Sequence, residues 1–212
     1  MARPREFDET VVLDAAMNRF WAQGYELTSV RDLAANMGIS GASLYNAFGD
    51  KRSLYRRALD HYVEHSVRDR IRRLSALRPL PAIQAFFDEI IERSMSDAEC
   101  RGCLLVNAAM EVAPYDAEFR AAVLQEVGSI RAFFQGCVTA GQKDGTITAS
   151  GSAEALAALL LSTLPGLRVM ARTHRQRDVL EAPVNGVLGL LKTGAAPLPK
   201  AARDFAPKIL SC

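Results

Sequence analysis

The sequence of 212 residues lacks several features that mark particular classes of protein. Its first residues, Met-Ala-Arg-Pro-Arg-Glu, carry charges where a secretory signal would carry an apolar run. The formal net charge is only +2, too small an excess to indicate nucleic-acid binding by itself. About 20 uninterrupted apolar residues are needed for a membrane span, and even the most apolar stretch, 153–171, contains charges and a proline. The sequence predicts a soluble, cytoplasmic protein with no membrane partner, on which any basic surface is local.

Motifs for catalysis and metal binding are also missing. The chain has no Gly-rich phosphate loop, no GxSxG and no HExxH, and its three histidines lie outside any recognisable nucleophile motif. We therefore expect no enzyme, no catalytic residues and no cofactor. Cys100 and Cys103 have CxxC spacing, but no second such pair exists to complete a zinc site, so no metal is expected. A redox role for these two thiols stays open as an alternative.

The N-terminal region shows the period of a helix, followed by two short helices. Val12, Ala16 and Phe20 recur at four-residue spacing and predict a first helix from about Asp8 to Gly24. Capping residues and glycines then mark a helix from Thr28 or Ser29 to Gly38, another from Ser40 to Gly49, and a fourth that begins at Asp50. Two short helices joined by a three-residue turn predict a helix-turn-helix at about 28–48.

The rest of the chain also carries helical periodicity and no strand alternation. Predicted helices cover roughly 82–96, 103–113, 117–141, 152–172 and 177–192. Pro79 and Pro81 disfavour a continuous helix, which places the domain connection between about 63 and 80. The predicted fold is all-α: a helix-turn-helix domain over 1–66, a helical effector-binding and dimerisation domain over 67–195, and a flexible tail over 196–212.

Three segments together resemble a known DNA-binding head. They read TSVRDLA at 28–34, GIS at 38–40 and SLYNAFGDKRSL at 43–54. The pattern, over about the first 60 residues, resembles the TetR/AcrR family of bacterial transcriptional regulators. The resemblance implies a homodimer that pairs through its two C-terminal helices, and a C-terminal pocket for a small-molecule effector.

The third predicted helix has the composition of a recognition helix. Its non-core face carries small and hydrogen-bonding residues near the N-terminal end, which is the end that meets base edges in the major groove. Ser43 and Asn46 can exchange hydrogen bonds with bases, and Ala42 can touch a thymine methyl. Tyr45 and Lys51 match the family's phosphate-binding tyrosine and lysine. The predicted DNA-binding set is Arg31, Ser40, Gly41, Ala42, Ser43, Tyr45, Asn46 and Lys51. Arg31 could read guanine or contact only phosphate.

The C-terminal helices raise two further expectations. The last two predicted helices are apolar almost all the way round, which favours a dimer surface. Their large apolar residues are Leu156, Leu159, Leu160, Leu164, Leu167, Met170, Val184, Val187, Leu188 and Leu191, and their small ones are Ala155, Ala158, Ser162, Gly186 and Gly189. Pro165 deletes one backbone donor, so a kink there could open a cavity.

The sequence also names four candidate effector residues and one leading function. The candidates are Asn107, Met110, Glu111 and Phe134. Asn107 and Glu111 could equally bond to neighbouring helices. The sequence predicts a ligand-responsive repressor that binds a palindromic operator as a homodimer. The alternatives are a helical interaction module that has lost DNA binding, a thiol-redox-responsive regulator, and an enzyme whose site is assembled from distant residues.

Overall fold

A computed structural model describes residues 8–173 and 176–192, and this part of the chain is helical, with no strand. The all-α prediction is confirmed. The helices are α1 (Glu9–Gln23), α2 (Val30–Met37), α3 (Gly41–Phe48), α4 (Lys51–Val63), α5 (Asp69–Leu74), α6 (Pro79–Ser96), α7 (Leu104–Glu111), α8 (Ala117–Asp144), α9 (Ala153–Thr173) and α10 (Arg177–Leu191). A π-helical turn, Glu64–Arg68, lies between α4 and α5. The predicted tail at 196–212 and Cys212 lie outside the described residues.

Helices α1 to α4 form the N-terminal head, and side-chain caps fix where each begins. Asp8 caps α1, and Ser29 and Asp32 form a reciprocal capping box at the start of α2. The backbone of Gly38 adopts the left-handed conformation, which ends α2 and lets the chain turn into α3. Each helix buries one apolar face, so that Phe20, Leu33 and Leu44 are fully buried in the head.

The head and the C-terminal body share one continuous helical stretch. The chain runs from α4 through the π-helical turn into α5, and the backbone N–H of Asp69 donates to the carbonyl of Glu64, five residues earlier. The helical path breaks only at 75–78. The predicted domain limit at residue 66 falls inside this turn. The head is therefore fastened to the body by helical backbone rather than by a loop.

The two prolines near residue 80 begin a helix instead of interrupting one. Pro79 is the first residue of α6, which starts three residues before the predicted Ala82. A proline in the first turn removes an N–H that would have had no helical partner, so its usual penalty does not apply.

Helix α8 is the central helix of the body and packs against α6, α7 and α9. Phe133 and Phe134 on α8 pack with Phe86 and Phe87 on α6, with ring centroids 5.0–5.7 Å apart between the two helices for the pairs Phe86–Phe133, Phe86–Phe134 and Phe87–Phe134. The helix continues to Asp144, past the predicted end at Gly141, and the side chain of Ile147 packs against that glycine. A Cβ at Gly141 would lie 2.6 Å from Ile147 Cδ1.

Helix α9 is a single helix of 21 residues that continues through Pro165. Its most apolar 18-residue window has a mean hydropathy of 1.4 and is long and apolar enough to cross a membrane by length and composition. This window includes Pro165 and Arg168, so it is not an uninterrupted apolar run. Only a third of that window is buried within the chain, so much of α9 lies at the surface of the single chain.

Candidate DNA-binding surface and effector cavity

The α3 helix presents one face to solvent while its other face anchors it in the head. Leu44 and Phe48 are buried, whereas Tyr45 is 52% exposed and Asn46 is exposed. Among the described residues, neither Tyr45 nor Asn46 makes a side-chain hydrogen bond or ion pair. These two side chains are therefore available to an external partner.

The first turn of α3 is held by two serines. Ser40 Oγ accepts the backbone N–H of Ser43 at 3.0 Å, and the two hydroxyl oxygens lie 2.9 Å apart. This is an N-cap, so Ser40 sets the start of the helix. Gly41 and Ala42 follow it with minimal side chains, which leaves the helix N-terminus open to close approach.

Two basic residues flank α3 in the folded head. Lys51, at the first position of α4, lies 4.3 Å above the ring of Tyr25, and its Nζ donates to the carbonyl of Glu26 at 3.4 Å. Arg31 is exposed on α2. The predicted DNA-binding residues thus come from α2, α3 and the start of α4, which pack as neighbours.

Several contacts join this head to the body, and two of them use acidic side chains of the body. The backbone N–H of Tyr25 donates to Glu111 Oε2 at 2.9 Å, so the end of α7 contacts the turn between α1 and α2. Arg52 on α4 binds Asp116 through Nε at 2.6 Å and Nη2 at 3.0 Å, and binds Glu118 at 2.7 Å. Asp116 is the N-cap of α8. The arginine lowers the pKa of Asp116 to about 2 through these hydrogen bonds.

A cavity of about 270 Å³ lies inside the body. Its wall is formed mainly by apolar side chains of α6, α7, α8 and α9, including Phe86, Val106, Val127 and Leu164. Pro165 of α9 also lines it, as a cavity beside this proline requires, and the predicted kink stays a prediction. The polar contributors are Tyr62, Arg70, Cys103 and Arg168. Burial lowers the pKa of Arg70 and raises that of Tyr62, because both lie in surroundings that disfavour their charged forms.

The structure separates the four candidate effector residues. Met110 lines the cavity. Glu111 points instead to the head, and Phe134 is fully buried in the aromatic cluster of α6 and α8. Asn107 is buried, donates to the carbonyl of Arg101 at 3.4 Å and accepts from Arg172 at 3.4 Å. Asn107 and Glu111 lie one turn apart on the same side of α7, and both are held by protein partners rather than by the cavity.

Two arginines of the cavity wall, Arg70 and Arg168, are not among the residues predicted from the sequence. Arg168 was visible as the single charged residue in the middle of an apolar helix, which is a signal that could have found it. Arg70 gave no such signal, since it stands in the arginine-rich segment 68–73, where its neighbours are exposed or partly exposed. Only the packing of α5 against α6 buries it.

The two CxxC thiols line different cavities. Cys103 lies in the wall of the apolar cavity and accepts the Tyr62 hydroxyl at 3.5 Å. Cys100, whose φ is 53°, lines a smaller, polar cavity of about 160 Å³ with Trp21, Arg93 and Arg101. Both are free thiols. Among the described residues, no group of three or more His, Cys, Asp or Glu is placed to hold a metal.

The outer surfaces of α9 and α10 carry small residues. On α9 the exposed positions include Ala155, Ala158, Ser162 and Gly166, and on α10 they include Gly186. Most of the large residues expected at a dimer surface pack inside the chain. The buried ones are Leu156, Leu160, Leu164, Leu167, Val184, Val187, Leu188 and Leu191. The sequence period could not separate the inward stripe from the outward one, because both are apolar.

Comparison with known proteins places this architecture in one family. The profile described as "Bacterial regulatory proteins, tetR family" matches residues 12–58, and "Tetracyclin repressor-like, C-terminal domain" matches residues 79–186. The uncharacterized HTH-type transcriptional regulator YezE of Bacillus subtilis (strain 168) is 31% identical over 196 residues, covering 90% of this chain and all of that protein. The HTH-type transcriptional repressor ComR of Escherichia coli (strain K12) is 32% identical over 114 residues, 53% of this chain and 54% of that protein.

A solved structure adds a DNA complex to these relatives. The TetR family transcriptional regulator CifR, a cysteine mutant complexed with 26-bp double-strand operator DNA, is 35% identical with a TM-score of 0.79. The match covers 90% of this chain and all of that chain. Together with the exposed face of α3, these matches show that the chain belongs to the TetR family and is a DNA-binding transcriptional regulator.

Proposed function

We propose that this regulator is a repressor that binds a two-fold symmetric operator as a homodimer and leaves it when a small molecule enters the body cavity. The observation that carries the proposal is the exposed face of α3, where Tyr45 and Asn46 have no partner within the described chain. ComR, a relative, is a repressor by name, and the CifR structure contains operator DNA. We further propose that the protein acts in the cytoplasm and has no catalytic activity.

A homodimer follows from how DNA is read. One recognition helix spans only a few base pairs, so useful specificity needs two heads in successive major grooves. The small outward residues of α9 and α10 support a helix-to-helix interface, because they let two backbones approach closely. The large apolar residues of the same helices pack inside each chain and form part of its own core.

Release by an effector requires a physical link between cavity and head. Helix α7 provides one, since Val106 and Met110 line the cavity and Glu111 binds the backbone of Tyr25. A ligand that binds better when α7 is displaced would also favour displaced heads. By the same coupling, operator DNA must weaken the binding of the effector by the same factor as the effector weakens the binding of DNA.

The first test selects operator sequences from a random duplex library with the purified full-length protein at moderate salt. We expect enrichment of a two-fold symmetric motif. No enrichment from a folded dimer would contradict the proposal and favour an interaction module that has lost DNA binding.

The second test separates the roles of the basic residues on the selected operator. Lys51→Ala should weaken binding to all sequences and reduce the slope of log K against log salt by about one per head, because a phosphate contact is lost. Lys143→Ala is the matched control, an exposed lysine on α8 outside the head, and should change neither quantity. Arg31→Ala should relax preference at one base position if Arg31 reads a base. A uniform loss would assign Arg31 to phosphate.

A further inference from the structure

Arg168 is a buried cation without a carboxylate partner. It lies on α9, is 5% exposed and contributes to the wall of the apolar cavity. Its Nη1 donates to the hydroxyl of Ser94 at 3.1 Å, which is a neutral acceptor. Within residues 8–173 and 176–192, no aspartate or glutamate forms an ion pair with it.

The neighbouring charges do not supply the missing anion. Arg70, also in the cavity wall, binds Glu89 at 3.0 Å, but Glu89 is shared with Arg73, which binds both of its oxygens at 2.8 and 3.0 Å. Arg93 lies over the rings of Trp21 and Tyr62 and adds a further positive charge nearby. The polar end of the cavity therefore carries an excess of positive charge.

A guanidinium removed from water is unfavourable unless an anion or several hydrogen bonds compensate it. The single neutral acceptor of Arg168 leaves its charge uncompensated within the described chain, so its position calls for an anionic partner from outside the chain. The remainder of the wall offers apolar contact, for which the complementary ligand surface is hydrocarbon.

We infer that the cavity takes a small amphiphilic carboxylate, whose carboxylate pairs with Arg168 near the Tyr62 hydroxyl and whose apolar body fills the space between α7, α8 and α9. The inference rests on the proposed effector role of the cavity and adds the chemical class of the effector. The volume of about 270 Å³ is just below the usual range for drug-sized ligands, which favours a compact molecule.

The test compares octanoate with octan-1-ol, which have the same chain length and differ in charge. Binding to the full-length protein is measured by isothermal titration calorimetry, without DNA. We expect octanoate to bind at least tenfold more tightly than octan-1-ol. In Arg168→Met, which keeps a long apolar side chain, that preference should disappear. Arg131→Met, at an arginine on α8 that pairs with Glu154 outside the cavity, is the control and should keep it.

Three outcomes would overturn the inference: no octanoate binding to the wild-type protein, equal binding of acid and alcohol, or an undiminished preference in Arg168→Met. The wild-type comparison decides the matter even if Arg168→Met does not fold. Operator binding is measured separately by fluorescence anisotropy. Loss of operator recognition with octanoate binding intact would contradict the proposed repressor, whereas octanoate failure with operator binding intact would contradict only this inference.

Discussion

Arg52 joins the beginning of α4 to the beginning of α8 and so connects head and body by charge. Its guanidinium binds Asp116 through two nitrogens and also reaches Glu118. The carboxylate of Asp116 simultaneously accepts the backbone N–H groups of Glu118 and Phe119 as a helix cap. The Asp116 side chain thus caps the start of α8 and also binds the head through Arg52.

The lowered pKa of Asp116 predicts how this contact depends on acid. Its folded pKa of about 2 lies below the ordinary value of 3.8, so the ion pair contributes stability above pH 3.8 that is lost as the pH falls towards 2. Asp116→Asn, which keeps a capping side chain, should remove this part of the acid dependence. Urea unfolding of both proteins across this pH range measures it. The stability gap between wild type and variant should narrow as the pH falls.

Arg52→Met serves as the control for that experiment, because it removes the arginine and leaves the cap. Its acid dependence should resemble that of Asp116→Asn. If the wild-type protein and both variants lose stability in parallel from pH 3.8 to 2, the ion pair contributes nothing.

Helix α7 contacts both the cavity and the head. It has only eight residues, and it packs against α4 and α8. Its C-terminal residue, Glu111, accepts the N–H of Tyr25 at a partly buried position. Because this helix is short, its cavity face and its contact with the head lie within about two turns of each other.

Glu111→Ala should lower the free energy of unfolding by about 1 kcal/mol, since the Tyr25 N–H loses its acceptor. Exchange of the Tyr25 amide with deuterium should become about tenfold faster. Glu111→Gln keeps an acceptor oxygen and should recover most of both effects. An alanine variant with unchanged exchange at Tyr25, or a glutamine variant no better than alanine, would show that the contact does not fasten the head.

At the scale of the whole molecule, the outward faces of α9 and α10 decide the assembly. The single chain leaves Gly166 and Gly186 open, because a Cβ at either would have nothing within 4 Å. Most of the large apolar residues of the same two helices are already used inside the chain. A second copy that packed here would meet a surface of small side chains.

Gly186→Arg should therefore leave the chain folded but separate the dimer, because it places two charged side chains in an interface built for close approach. Sedimentation velocity should change from the dimer mass to that of the 23.1 kDa chain. Operator affinity should fall with it. Gly128→Arg is the matched control, an exposed glycine on α8 that also has open space around it. Equal masses for Gly186→Arg and the wild type would place any dimer contact elsewhere.

Local signals in the sequence account for the head and for most of the helices. Helical periodicity, capping side chains and glycine ends act over a few residues, so they specify α1 to α4, including the recognition helix α3, without tertiary contacts. The same local signals predicted the break near these prolines but began α6 three residues late, because a proline at a helix start and one that breaks a helix differ only in where the neighbouring turns lie.

Only tertiary packing determines which residues line the cavity and which faces of α9 and α10 are buried. Arg70 became a cavity residue when α5 packed on α6, and Glu111 and Phe134 left the candidate effector set because their partners are distant in sequence. In α9 and α10 an apolar stripe faces inward and small residues face outward, a division that composition and period could not make. Local rules determine which segments are helices, whereas burial depends on what each helix meets.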